Sequence, residues 1–273
     1  MVATGSLLSI ASACLYAGAG HGILSRLWKR GGKAPASWVI AAAAAALLHA
    51  LFLVDVIFCG SEIHFGFGPA VSTALLYAAV ASLAVSFARG AGPVTGLLLP
   101  LASLGVLLPL AFPGSPMLTQ VWTPLFTAHI AIALFVYSLL LLALLQAILM
   151  ELLNKRFRSG IDPIPETGPL SNMPPILVAE RHFFCTLQVC FLVLTALLAV
   201  GVLVTQESFG VNFVLGHKTY LTWISWVLLA VLLVGRRMFG WRGRKALNWF
   251  WWLLIAYGLA YLGYTFILEN FLH

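Results

Sequence analysis

Apolar runs of about twenty residues, separated by short polar breaks, recur along the whole chain. A helix needs about 20 such residues to cross the hydrocarbon core of a bilayer, so the pattern predicts about eight crossings. The first runs from Gly5 to Leu24 and the second from Trp38 to Phe58. The third ends at Arg89, and a Gly90-Ala91-Gly92-Pro93 turn starts the fourth, which Pro100 and Pro109 should kink. The fifth is long, Leu125 to Leu153, and should tilt or protrude. Glu180 and Arg181 open the sixth, near Phe183 to Thr205; the seventh ends at Arg236, and a Trp-rich eighth finishes at His273. The stretch from Gly160 to Pro175 is rich in Pro and Gly and reads as a loop. The second crossing opens with Ala41 to Ala46, small side chains that let helix backbones approach closely in lipid. The expected fold is all-α: one polytopic integral membrane domain over residues 1–273, with no room for a separate soluble domain.

The polar breaks add an orientation. Arg26, Lys29, Arg30 and Lys33 fall in the first break and Arg89 in the third. The fifth holds Lys155, Arg156, Arg158 and Arg181, and the seventh Arg236, Arg237, Arg242, Arg244 and Lys245. The alternate breaks hold only Lys218. Cationic loops stay on the cytoplasmic face, so eight crossings put both termini on the outer face. The leader Met1 to Ser6 has no positive charge, so the first crossing is not expected to be a cleaved signal peptide.

Composition agrees: 62% of residues are hydrophobic and 8% charged, against roughly 25% charged in soluble domains. The net charge of +7 does not imply nucleic acid, because the cations follow the loop alternation. They read as topology determinants and as contacts for the anionic lipid of the bilayer. Cys14, Cys185 and Cys190 lie in apolar runs and Cys59 near the outer face; no CxxC is present, and all four read as small core residues without redox pairing. No internal repeat suggests an inverted-repeat transporter.

Chemistry, then, falls to the histidines. No nucleophile pattern, HExxH or phosphate loop is present, so no enzyme is expected. His64, His129, His217 and His273 all map to the outer face, in loops or at helix ends. Imidazoles there can bind iron, and two from different helices can hold haem; they also simply suit a wet, polar boundary. His21 and His182, at the cytoplasmic edge, read as boundary residues. His49 falls near the middle of the second crossing, where a polar side chain is costly without a partner; either a function or a hydrogen bond to a neighbouring helix accounts for it. Trp223 and Trp226 lie three apart on the outer half of the seventh crossing, able to line a flat apolar pocket or to pack between helices. Trp241, Trp249, Trp251 and Trp252 surround the last cytoplasmic turn, as in an aromatic belt.

The segment His217-Lys218-Thr219, Trp223-Ile224-Ser225-Trp226 and Gly240-Trp241-Arg242-Gly243-Arg244 resembles the cytochrome c assembly membrane protein superfamily (CcsA-like), in its inner-membrane branch of the YpjD/HemX type. Met173-Pro174-Pro175 with Glu180-Arg181 looks like that branch's approach to the sixth crossing. His129 with Phe135, Tyr137 and Ser138 is similar to the superfamily's His-x5-Phe-x-Tyr pattern. The resemblance covers Leu125 to the C-terminus best. It implies a multi-pass protein of the bacterial inner membrane, with haem as cofactor and other cytochrome c assembly proteins as partners. Carried over by position, His129 matches one axial haem ligand and His273 falls one residue from the other. Two features depart from the pattern. The loop after the sixth crossing, Gln206 to Phe213, has no Trp, and Val234 stands where the seventh crossing would carry a histidine.

The leading expectation is therefore an accessory membrane protein in cytochrome c assembly or haem handling. His129 would be one ligand, with His217 or His273 opposite, and His64, His49, Trp223 and Trp226 complete the candidate set. The rivals are a membrane scaffold or regulator of the same fold without haem, favoured by the missing Trp, and an accessory subunit of an ion transporter. For the last, Asp55, Glu62, Glu207 and Glu269 set against Lys218 would give the outer face a cation-attracting balance.

Overall fold

The computed structural model describes residues 2–29, 31–58, 63–117, 123–160, 162, 164–168, 170–209 and 216–260. Helices dominate: α1 (Val2–Leu27), α2 (Ala36–Ile57), α3 (Phe67–Arg89), α4 (Pro93–Gly105), a short α5 (Leu108–Ala111), α6 (Pro124–Arg158), α7 (Ile176–Phe209), α8 (His217–Phe239) and α9 (Gly243–Gly258). Among the described residues, seven helical segments are long and apolar enough to cross a membrane. α4 and α5 together make the fourth, Pro93–Ala111. The expected eighth crossing begins as α9, whose 16 residues span about 24 Å at 1.5 Å each. That falls short of a roughly 30 Å hydrocarbon core, and the rest of the expected crossing, 261–273, lies outside the described residues. The protein is an all-α polytopic membrane protein.

Three details differ from the sequence reading. The fourth crossing breaks once, at Val106 and Leu107, while Pro100 sits inside an unbroken α4. Pro109 lacks an N–H and its ring crowds the carbonyl four residues earlier, that of Gly105, which is where the helix stops. The sixth helix starts at Ile176, not near Phe183: Val178 and Ala179 donate to the Pro175 carbonyl at 2.8 and 3.0 Å, so Glu180 lies inside the helix. A small antiparallel ribbon, β1 (Ile63–Phe65) with β2 (Ser115–Met117), pairs His64 with Pro116 at the end of the bundle where α2 and α3 connect.

The helices pack as two groups. In the first, α1, α2, α3 and α4 share a core of small and aliphatic residues. Ala42 and Ala45 are fully buried there, and Ser12 of α1 donates to the Ala45 carbonyl at 2.9 Å, so the alanine run is the close-approach face expected of it. The second group is built on α6, α7 and α9, with Leu149, Phe183, Leu187 and Phe250 at its centre. α3 packs on α2 and α4 on one side and on α6 on the other, joining the two. Of the described cysteines, Cys190 is in the core, but Cys14 and Cys185 are exposed on helix faces, contrary to their expected burial.

The cationic breaks are gathered at one end of the bundle. Asn172, before α7, donates to the carbonyls of Leu27 and Lys29 at 2.7 and 2.9 Å and accepts from the Gly31 N–H at 3.0 Å. Ser171 donates to Leu27 at 2.6 Å, and Gly168 N–H to Trp28 at 2.7 Å. The α1–α2 and α6–α7 loops are thus latched together. Glu180, on the first turns of α7, accepts from Gly243 N–H at 2.9 Å and lies 3.8 Å from Arg236, which brings in the α8–α9 turn. Gly96 of α4 abuts Leu24 of α1, which adds the turn after Arg89. Lys218 is at the other end, where Thr123 donates to Glu207 at 3.1 Å. A reporter active only in the cytoplasm is expected to be silent when fused after His273 and active when inserted after Gly160; a signal at His273 would mean an odd number of crossings or an inverted bundle.

Candidate functional site

His129 lies in the second turn of α6, whose start is set by Pro124 and by Thr123, which accepts from the Phe126 N–H at 3.2 Å. From there His129, Ala133 and Tyr137 follow at four-residue steps, so one face of α6 presents an imidazole, a gap and a phenol in line. That face lines a cavity of about 350 Å³. α7 contributes Leu197, Leu198, Gly201, Val202 and Thr205; α8 contributes Lys218, Thr219, Thr222 and Trp223; Tyr257 and Ala260 close the inner side, and Phe65 of β1 and Phe126 the outer. The volume is toward the lower end of the range for ligand pockets, roughly 300–1,000 Å³.

The inner wall is rigid. Tyr137 donates its hydroxyl to the Tyr257 carbonyl at 2.8 Å, and Tyr257 donates its own to the Ala133 carbonyl at 3.3 Å, with the rings 4.5 Å apart. Both phenols are therefore used in joining α6 to α9 and do not offer themselves as ligands. The His129 Nδ1 atom is buried and has no hydrogen-bond partner. A polar nitrogen left so among apolar walls is costly unless water or a ligand reaches it. Gly201 faces this ring: a Cβ there would stand 3.2 Å from His129 Cε1, so the missing side chain is what leaves the imidazole its space.

The candidate residues separate by position. His129 and Trp223 meet in this cavity. Trp226 does not line it: its Nε1 donates to Thr195 at 2.9 Å and its ring stacks on Phe191 at 5.4 Å, so it packs α8 on α7. Three residues apart, the two indoles share a face of α8 and meet edge to face at 6.2 Å, but only Trp223 reaches the cavity. His49 is fully buried in the other helix group, with Nε2 2.8 Å from Ser72 Oγ and its ring edge-on to Tyr16 at 5.9 Å. It is a hydrogen-bonded interhelical residue, away from the cavity. His64 sits on β1 beside Phe65 but is not among the lining residues. His217 opens α8 next to Lys218, with its side chain outside the described atoms, and His273 lies outside the described residues. His21 and His182 are exposed at the cationic end. Among the described residues no three His, Cys, Asp or Glu side chains cluster to hold a metal ion. Tyr257, Gly201 and Lys218 were not singled out as site residues from the sequence. The His129 to Tyr137 spacing carries a helical-face signal, whereas Gly201 and Tyr257 join the site only through packing.

The sequence pattern of the family described as "Cytochrome C assembly protein" matches residues 37–272. The chain belongs to that family. The "Inner membrane protein YpjD" of Escherichia coli strain K12 is 29% identical over 128 residues, 47% of this chain and 46% of that protein. An "Uncharacterized 28.8 kDa protein in nifR3-like 5'region" of Azospirillum brasilense is 34% identical over 144 residues, 52% of this chain and 51% of its own length. The aligned part of the chain spans about half the length of these curated relatives. With seven membrane-competent helices, this member of the cytochrome C assembly family is a multi-pass protein of the bacterial inner membrane.

The structural role of His49 gives a direct test. Ser72→Ala leaves the buried His49 Nε2 without its partner, which costs about 1–3 kcal/mol. Thermal unfolding in detergent should drop accordingly, while any ligand binding in the His129 cavity stays unchanged.

Proposed function

We propose that this protein handles haem in cytochrome c assembly, as a non-enzymatic membrane component that holds the macrocycle beside His129. The observation that carries the reading is the buried, unpartnered His129 Nδ1 in an apolar cavity. When bound, haem supplies an iron that takes imidazole as an axial ligand. The residues present fit such a group. His129 would hold the iron, Phe126 and Trp223 would flank the flat apolar faces, and Lys218 would meet carboxylate groups at the mouth through charge-assisted hydrogen bonds. Gly201 would keep the imidazole accessible, and the Tyr137–Tyr257 clasp would keep α6 and α9 at a fixed separation. The cavity is too small to enclose a whole porphyrin, so part of the macrocycle would face outward. That suits a protein that passes its cargo to another assembly component rather than one that retains it.

A second axial ligand would come from His217 or His273. One observation favours the scaffold alternative: among the described residues, His129 is the one imidazole that lines the cavity. Saturable Soret absorbance on titrating haem into the purified protein is expected. His129→Ala and Gly201→Leu should each shift or weaken it, and His182→Ala, at the cationic end, should leave it unchanged. Wild type without a saturable signal, or variants that all match wild type, would replace the haem reading with the scaffold reading.

A further inference from the structure

We infer that the turn between α8 and α9 is a binding site for the phosphate of an anionic glycerophospholipid, separate from the His129 cavity. α8 ends in a left-handed residue, Gly240 at φ 63°, which sends the chain back along the helix. Trp241 follows, its N–H donating to the Gly235 carbonyl at 3.2 Å. Its indole lies flat on Gly235, so closely that a Cβ there would sit 2.4 Å from the ring. Trp241 is therefore fixed in place. It stacks on Trp249, centroids 5.5 Å apart at 21°, and on Phe239 at 6.3 Å and 27°. Lys245 holds its ammonium 4.4 Å above the same indole. Phe239, Gly240, Trp241, Arg242 and Lys245 line a shallow open cavity.

The charges in this turn are unbalanced. Arg236, Arg237, Arg242, Arg244 and Lys245 gather here, and among the described residues Glu180 is a carboxylate that approaches them. Glu180 is already engaged: it accepts from Gly243 N–H, and it lies 3.8 Å from Arg236 and 4.0 Å from Arg242. Arg236 is also spent inward, over the Phe184 ring at 4.7 Å. Arg237, Arg244 and Lys245 are exposed around this aromatic slab, and so is Arg242 despite its 4.0 Å approach to Glu180.

The surroundings decide which anion fits. Val234, Met238, Phe239 and Trp252 are exposed large apolar residues on the membrane-crossing helix α8 and on α9, and Phe239 itself lines the cavity. A phospholipid satisfies both features, with its phosphate among the cations and its acyl chains along the apolar flank. A soluble anion or an acidic peptide would satisfy the cations alone.

The test uses the full chain in nanodiscs and quenching of tryptophan fluorescence by brominated lipid. Brominated phosphatidylglycerol is expected to quench several-fold more effectively than brominated phosphatidylcholine. Arg242→Gln combined with Lys245→Gln should bring the two lipids to near parity. Lys155→Gln combined with Arg156→Gln, equal charge removed elsewhere on the same face, should preserve the preference. Lys245→Gln alone repeats the test with the Glu180 pairs left in place, should the double variant fold poorly. Equal quenching by both lipids in wild type would overturn the site, as would equal loss in the two charge variants. Relief of quenching by soluble glycerol phosphate would show a free-anion site and overturn the lipid assignment.

Discussion

A bilayer core holds no water, so each buried polar group must find its partner inside the protein. Much of this structure follows from that constraint. Hydroxyls along the helices turn back onto their own backbone: Thr73 donates to Pro69, Ser86 to Ser82, Thr195 to Phe191 and Ser225 to Leu221. Others join neighbours, as Thr95 of α4 does with Ser82 and Ser86 of α3 at 2.7 and 3.0 Å. His49 with Ser72 and Tyr137 with Tyr257 apply the same rule to larger side chains. In lipid, where apolar attraction between helices is weak, such bonds and close small-residue packing decide which helices meet.

The two ends of the bundle solve the constraint differently. At the cationic end, loops are latched to one another through Asn172, Ser171 and Glu180, so backbone groups there are paired across the loops. At the other end, α6, α7 and α8 leave a cavity, with Gly201 clearing room in front of an imidazole. One end is latched and carries the cations; the other holds the cavity and His129.

Several buried polar atoms lack a hydrogen-bond partner, among them the Tyr16 hydroxyl, His49 Nδ1, Gln146 Oε1 and Asn154 Nδ2. His129 Nδ1 and Glu180 Oε2 both lack a hydrogen-bond partner, yet in different settings. Glu180 accepts from Gly243 N–H through Oε1, and its Oε2 lies 3.8 and 4.0 Å from the Arg236 and Arg242 guanidinium groups, which balance its charge. His129 Nδ1 faces a largely apolar cavity and a glycine, with no hydrogen-bond partner among the described residues. The same chemical deficit therefore has a structural answer at one end of the bundle and a ligand-sized space at the other.

Class and the gathering of cations at one end were legible in the sequence, because each depends on local composition and on the short length of loops; of the eight expected crossings the described residues hold seven. The place of His129 at a helix start was legible too. Sorting the other candidates was not. Trp223 and Trp226, three residues apart, differ only in which neighbour they meet; His49 is explained by Ser72, 23 positions away. Gly201 and Tyr257 joined the site, and the turn around Trp241 became a rigid platform, through contacts between helices distant in sequence. Periodicity states which face of a helix is apolar, but in lipid every face is apolar, and only packing in three dimensions decides which one lines a cavity.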